Sequence, residues 1–415
     1  MTAAVITGCG VASAFGLGTR ALFAGLVEGR AAVGPIRGFD ARTFPTRVAA
    51  EVPVFGDALV AKLPPHDPAW DADGRFRDRK VVFALLAASE AWTHAGCTDA
   101  DRGAALSIAI GLEQAFVDDF ASLLRGDDFD WAGEPAAPLP HVRLRSPVDL
   151  GPKSVRAVLG LRGTTIVHAS ACAAGALAVA HAASLIARGA ADIVVCGGSD
   201  SMINPLGIGG MSRIGAPSPR AEPDACRPFD RRRDGLAMGE GAAMFVVESA
   251  DRAQARGARP LARLLGWGST QDAYRATAPR PDGASARDAM LRALARARLS
   301  PHDVGYINAH GTGTPLNDPA EARAIRAAIG DHAPVSSIKG ALGHLMAASG
   351  ALELAACLVA FERDVLPGTA HLTDLDPEIE LDVIGPVPRR ARVDIVVTNS
   401  FGFGGQNASL VLARP

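Results

Sequence analysis

The chain reads as an α/β protein with mainly parallel sheets, and three observations carry that reading. Short β-branched or apolar runs recur, apolar helical patterns fall between them, and the order of elements in the first part returns in the second. Strands are predicted over 3–7, 106–110, 164–167, 193–196 and 244–247, and again over 261–265, 305–308, 334–337, 395–398 and 409–412. Helices are predicted over 80–96, 173–187, 286–298, 320–329 and 345–361. Residues 166–189 run strand, small-residue elbow, apolar helix; residues 335–363 repeat that order with Lys339, Gly343 and His344 in the elbow. Gly239-Glu240-Gly241 ahead of one predicted strand parallels Gly404-Gly405-Gln406 ahead of another. A duplication explains both and divides the chain into halves, 1–250 and 251–415. Segments 112–150 and 200–235, rich in Pro, Gly and charge, are expected to be loops covering a site.

Composition narrows the function. At 415 residues and 48% hydrophobic, the chain has material for two cores. A net charge of −2 excludes general nucleic-acid affinity, which needs a clustered basic surface. The six cysteines, at 9, 97, 172, 196, 226 and 357, include no C-x-x-C pair, so zinc and dithiol redox chemistry are not expected. With no secretory pattern at the N-terminus, a reducing cytoplasm is the expected setting. Residues 163–187 carry no charge but are mostly Ala, Gly, Ser and Thr with two histidines, which suits a helix enclosed by protein better than a bilayer span.

The chemistry begins at Cys172. It follows Thr164-Thr165-Ile166-Val167-His168 and precedes the alanine-rich stretch 173–187, which places a thiol at the N-terminus of a buried helix. Unpaired backbone N–H groups and the helix dipole favour the thiolate there, and such settings lower a thiol from near 8.5 to about 3.5–7.5. Three polar elbows accompany it: Asn308 to Asp318, which contains His310-Gly311-Thr312-Gly313-Thr314; Lys339-Gly340-Ala341-Leu342-Gly343-His344; and Asn399 to Asn407. Singly, a histidine or a glycine turn has an ordinary structural role. Elbows that all follow strands at one sheet edge stand where ligands bind in α/β proteins. Only four of the 42 Lys and Arg residues are lysines (62, 80, 153, 339), which makes Lys339 in an uncharged segment notable.

Taken in order, Ala171-Cys172-Ala173-Ala174-Gly175, Arg227-Pro228-Phe229-Asp230, Gly239-Glu240-Gly241, His310-Gly311-Thr312-Gly313-Thr314, Gly343-His344 and Asn399-Ser400-Phe401-Gly402-Phe403-Gly404-Gly405 resemble the motifs of the elongating β-ketoacyl-[acyl-carrier-protein] synthases. These belong to the thiolase-like superfamily, and the resemblance runs from about residue 3 to residue 412. It implies a thiolase-like duplicated fold, layered α-β-α-β-α, with mixed or parallel five-stranded sheets. It implies an acyltransferase that condenses an acyl thioester with malonyl carrier protein by a decarboxylative Claisen reaction, in fatty acid or type II polyketide synthesis. Cys172 would be the nucleophile, and His310 and His344 would bind the malonyl thioester. Lys339 and Glu353 would complete the catalytic set as a buried pair. Backbone N–H groups of Cys172 and Phe403 would form the oxyanion hole, with Phe401, Gly402 and Phe403 in the gating loop. Thr312, Thr314 and Asn407 would bind substrate; Arg79, Lys80 and Arg213 would dock the carrier; Arg231-Arg232-Arg233 would be a solvated turn.

The resemblance implies no metal and no cofactor beyond the carrier's phosphopantetheine. It also implies a homodimer or a heterodimer with a paralogue, to which apolar runs such as 106–110 would contribute. The chain departs from the family pattern at Gly111-Leu112-Glu113-Gln114-Ala115-Phe116, at Gly340 and at Gln406. A non-catalytic chain-length partner would lack the nucleophile. A thiolase acting on coenzyme A would carry a second cysteine in the C-terminal glycine loop, where residues 402–407 have none. Gly8-Cys9-Gly10 begins a dinucleotide fingerprint, but Ser13 stands at its third glycine.

Overall fold

The computed structural model describes residues 3–66, 75–111, 124–125, 128–129 and 150–415. Most of the segment 112–150, including Leu112 to Phe116, lies outside the described residues.

Two five-stranded sheets share one design. Strands β1 (Ala4–Ser13), β2 (Ala105–Ile110), β3 (Thr165–His168), β4 (Ile193–Ser201) and β5 (Met238–Ser249) stand in the order β1-β5-β4-β2-β3. Strands β6 (Ala262–Gln271), β7 (Tyr306–Asn308), β8 (Val335–Ser336), β9 (Ile395–Gly402) and β10 (Gln406–Ala413) stand in the order β6-β10-β9-β7-β8. Each sheet is mixed, with antiparallel pairing among its first three strands and parallel pairing toward the far edge. Ala4–Ile6 of β1 pairs with Ala262–Leu264 of β6 and joins the sheets.

Helices repeat the design. α1 (Arg79–His94) and α2 (Leu150–Leu159) cover the outside of the first sheet, and α4 (Ala284–Ala297) and α5 (Asn317–Ala328) cover the second. α3 (Ala174–Ala187) and α6 (Ser349–Arg363) lie between the sheets and touch both, which makes the α-β-α-β-α layering. Enclosure explains why α3 carries no charge; its alanines let two sheets approach one helix. Among the described residues no helix is long and apolar enough to cross a membrane.

Two pairs of glycines set the outer layers. A Cβ at Gly8 or Gly10 would stand 2.1 or 2.0 Å from the carbonyl oxygens of Ala91 or Ala87 on α1. At Gly266 or Gly268 it would stand 2.1 Å from those of Ala293 or Ala289 on α4. Gly8-Cys9-Gly10 is therefore a packing feature, and its partner in the second half is Gly266-Trp267-Gly268. Both strands also shift register just before the glycines. The central helices meet reciprocally: a Cβ at Gly175 would lie 2.9 Å from the Ala347 oxygen, and one at Gly350 would lie 2.8 Å from the Ala176 nitrogen.

Strands β4 and β5 extend past their predicted ends, through glycines that weaken the apolar pattern but are held by neighbouring strands on both sides, and β9 extends to Gly402 along β10 alone. α6 starts later than predicted because Met346–Ala348 forms a separate 3₁₀ turn. The run 106–110 is buried between β4 and β3 of the same chain, so interior packing accounts for its apolar character without a dimer contact. Nor is Arg231-Arg232-Arg233 simply a solvated turn: the Arg233 side chain is 7% exposed and paired with Asp376.

A Gly10→Ala protein is expected to melt earlier, with a loss of about 1–3 kcal/mol from overpacking against Ala87. Gly103→Ala, where a Cβ meets nothing within 4 Å, should stay within about 0.5 kcal/mol. Equal melting temperatures for the two variants would contradict the close approach of β1 and α1.

Candidate active site

Each chemical group leaves the end of a strand. Cys172 sits in the 3₁₀ turn Ala171–Ala173 that links β3 to α3, and Ala171 is held at φ 45°. His310 lies just past β7, Lys339 and His344 lie in the elbow between β8 and α6, and Phe403 follows β9. The elbow before α6 has the same form as the one before α3: a 3₁₀ turn whose first residue, Met346, is at φ 47°. A non-glycine residue at positive φ is strained and persists only where its surroundings over-determine it.

These elbows open onto one cavity of about 340 Å³, lined by Cys172, His310, Thr312, Thr314, His344, Phe401, Gly402, Phe403 and Asn407 among others. The imidazole centroids of His310 and His344 are 5.3 Å apart and nearly perpendicular, and Phe401 lies 5.9 Å from His310. Their hydrogen bonds fix both tautomers. His344 Nδ1 accepts the Met346 N–H at 3.0 Å and, being an acceptor, also takes the Ser349 hydroxyl at 2.9 Å. His310 Nδ1 lies 3.2 Å from Lys339 Nζ, which can only donate. Both rings are left with Nε2–H as the donor available to the cavity. Burial and the Lys339 charge hold both imidazoles well below their ordinary value, so they are neutral at physiological pH.

Lys339 is 1% exposed and fully engaged. Its ammonium donates to the His310 carbonyl at 2.5 Å and pairs with Glu353, whose other oxygen accepts the Ser400 hydroxyl at 3.1 Å. Burial pushes the Glu353 carboxyl up, against the pull of Lys339.

For the thiol, the structure corrects the sequence expectation. Burial pushes Cys172 up to about 11; the Lys339 charge and the N–H of Phe403 oppose this without overcoming it. The cysteine is at a helix N-terminus, but desolvation outweighs the dipole, and at neutral pH the group is a thiol.

The glycine loop after β9 is pinned from one side. Gly402 lets the chain pass Cys172, because a Cβ there would stand 3.0 Å from the Cys172 nitrogen. Gly404 and Gly405 both take φ 78°. Gly404 N–H donates to the Ala276 oxygen at 2.6 Å. Asn407 spends its amide N–H groups on Asp272 at 2.7 Å and on the Gly405 oxygen at 3.2 Å, so it braces the loop. Thr312 and Thr314 hydroxyls lie 2.8 Å apart on the cavity wall.

Two carboxylates that sequence reasoning gave no role hold the His310 loop. Glu321 accepts the N–H groups of His310 and Gly311 at 2.8 and 2.7 Å. Asp318 accepts those of Thr312 at 3.0 Å and Phe229 at 2.8 Å. Burial raises Glu321 to about 7 and raises Asp318 as well. Their i, i+3 spacing at the start of α5, just after a glycine turn, was the available signal.

The expected docking residues are not brought together. Lys80 is 2% exposed and paired with Asp78. Arg79 is tied to Glu240 and to the Val52 and Val54 carbonyls, each at 3.0 Å. Neither presents charge to a partner. Arg213 is exposed and adjoins Ile214 and Gly215 on the cavity wall.

Alkylation of Cys172 by iodoacetamide should accelerate about tenfold per pH unit between roughly pH 8 and 10, following a thiol pushed up to about 11. A rate already flat above pH 7 would show that the thiolate forms far more readily than its burial allows.

Residues 1–253 match the family described as beta-ketoacyl synthase, N-terminal domain, and residues 261–373 match its C-terminal domain. Over 420 residues the chain is 38% identical to 3-oxoacyl-[acyl-carrier-protein] synthase 2 of Coxiella burnetii, covering 99% of this chain and 98% of that one. It is 36% identical to the tetracenomycin polyketide synthase ketoacyl synthase alpha subunit of Streptomyces glaucescens, covering 99% and 97%. Among solved structures, the ishigamide ketosynthase/chain length factor superposes with a TM-score of 0.87 at 34% identity, covering 100% of this chain and 99% of that one. A β-ketoacyl synthase from Burkholderia phymatum gives 0.87 at 30% identity, covering 100% of both. The chain belongs to the β-ketoacyl synthase family and has its thiolase-like fold.

Proposed function

We propose that this protein elongates an acyl chain held on a carrier protein by decarboxylative Claisen condensation, with Cys172 as the acyl carrier within the site. One observation supports this above the rest: a thiol and two neutral imidazoles, each with Nε2–H available, line the same cavity.

In the first half-reaction Cys172 Sγ attacks the acyl thioester carbonyl, the pantetheine C–S bond breaks, and the thiol proton leaves with the pantetheine sulfur. Backbone N–H groups of Cys172 and Phe403 receive the carbonyl oxygen as it gains negative charge. In the second, the malonyl thioester binds with its carbonyl oxygen at the two Nε2–H groups. The carboxylate departs as CO₂ and its electron pair forms the enolate, which the imidazoles stabilise without giving up a proton. The enolate carbon then attacks the acyl-Cys172 carbonyl, and the Cys172 C–S bond breaks to release the 3-oxoacyl carrier and a cysteine sulfur that takes up a proton. Lys339 acts on this site by position: it keeps His310 Nδ1 an acceptor, and Glu353 balances its charge. Thr312 and Thr314 line the cavity, where their hydroxyls would meet the pantetheine arm, and Phe401 and Phe403 share its wall with the thiol.

The substrate-bearing partner is an acyl carrier protein. A solved complex of a type II polyketide acyl carrier protein with its ketosynthase has a TM-score of 0.86 to this chain at 27% identity. The relatives include both 3-oxoacyl-carrier synthases and polyketide ketosynthases, so the product is a fatty acyl or polyketide chain. Exposed Arg213, next in sequence to Ile214, which lines the cavity with the exposed Leu316, suits an acidic carrier. Residue 250 is the proposed boundary between the halves, and the half-buried edge strand β3 is the face proposed to meet a second ketosynthase subunit. A chain-length partner is not favoured, because the nucleophile is present.

Replacing Cys172 by Gln should stop condensation while malonyl-carrier decarboxylation continues, since the imidazoles remain. His310→Ala and His344→Ala should each lower decarboxylation by about 10²–10³. A Cys172→Gln protein that releases no CO₂, or histidine variants that release it at the full rate, would overturn these assignments.

A further inference from the structure

A carboxylate that the chemistry above does not use lies behind the second elbow. Asp200, at the end of β4, is 2% exposed. Its Oδ2 accepts the Ala347 N–H at 2.9 Å and its Oδ1 accepts the Ser201 N–H at 2.8 Å. Gly111 closes it in, since a Cβ there would stand 1.9 Å from Asp200 Oδ1. Burial raises the carboxyl to about 6, opposed by the Ala347 N–H and by the charge of Lys80, so Lys80 serves the interior beneath this site rather than its rim.

The group that Asp200 anchors is telling. Ala347 holds in the second elbow the place that Cys172 holds in the first, second in a 3₁₀ turn that opens on a strained residue. Just before it, Met346 at φ 47° sends its own N–H to His344 Nδ1 at 3.0 Å. Two consecutive N–H groups of one strained turn thus have two fixed acceptors, Asp200 and His344. Releasing the first lets Met346 relax toward an ordinary conformation, and its N–H then swings off the imidazole. Asp200 itself does not line the cavity. It reaches His344 through the turn, and its charge adds only a minor push to the rise of the Cys172 thiol, behind burial.

We propose that Asp200 is a positioning residue for His344: by anchoring Ala347 it holds the Met346 turn, and the turn keeps His344 presenting Nε2–H to the malonyl thioester. The inference rests on the reading of His344 given above. It also gives the duplicated fold a use for its second elbow, which carries an alanine where the first carries the thiol.

Asp200→Ala, Asp200→Asn and His344→Ala in the full chain separate these possibilities. Two rates are followed: CO₂ release from malonyl carrier protein without primer, and acylation of Cys172 by octanoyl carrier protein, read by intact mass. Asp200→Ala should lose decarboxylation about 10- to 100-fold, as for one charge-assisted hydrogen bond. Its acylation rate should change by less than about threefold. Asp200→Asn, which keeps one acceptor oxygen, should lose less decarboxylation with the same selectivity. Equal loss of both rates, or loss of neither, in the Asn variant overturns the inference while His344→Ala remains defective; the Asn variant also decides the matter if the Ala variant does not fold. A His344→Ala protein with full decarboxylation would instead overturn the reading of His344, and the inference with it.

Discussion

One buried ammonium sets the terms of this site. Lys339 touches His310 at its ring and at its carbonyl, and its charge is balanced by Glu353 from the next helix. An isolated cation at 1% exposure would be untenable, so the pair exists as a unit or not at all. Its effects reach both imidazoles and the thiol. Behind burial, the positive charge helps keep both imidazoles neutral; it also leaves Nε2–H as the donor of His310 and is the largest influence opposing the rise of the thiol. A lysine suits this place because a compact point charge can satisfy a ring nitrogen, a carbonyl and a carboxylate together.

The duplicated fold supplies the convergence. Each half sends a helix into the layer between the sheets, and reciprocal glycines at 175 and 350 let the helix starts approach to backbone contact. Both helices begin from a strained 3₁₀ turn, so the two elbows face a common space. One contributes the sulfur and the other an imidazole. His310 and the glycine loop arrive from neighbouring strand ends of the second sheet, which explains why residues so far apart in sequence line one cavity.

Much of this was legible in the sequence. The positions of the ten strands followed from short apolar runs, and Cys172, His310, Lys339 and His344 stood out because each followed such a run in a segment of small residues. Other features were not legible, for physical reasons. Arg79 and Lys80 begin a helix and read as surface charge; Lys80 pairs with its neighbour Asp78, but the Glu240 partner of Arg79 and the burial of Lys80 emerge only when β5 and α1 pack. The thiol was expected low because a helix start can be seen in sequence, whereas the desolvation that outweighs it cannot. Glu321 and Asp200 act by accepting backbone N–H groups from distant loops, and no residue pattern marks those loops as their partners. Gly8-Cys9-Gly10 resembled a nucleotide motif in sequence and proved to be a seat for α1.

The proposed chemistry needs two imidazoles that donate without titrating. Nitrogen-15 NMR of the histidine rings across about pH 5 to 8 reads this directly, since it reports which nitrogen carries the proton and whether the ring gains a second. His310 and His344 are expected to remain neutral with hydrogen on Nε2 throughout that range. Protonation of either ring near the ordinary histidine value of 6.5, or hydrogen found on Nδ1, would contradict the account.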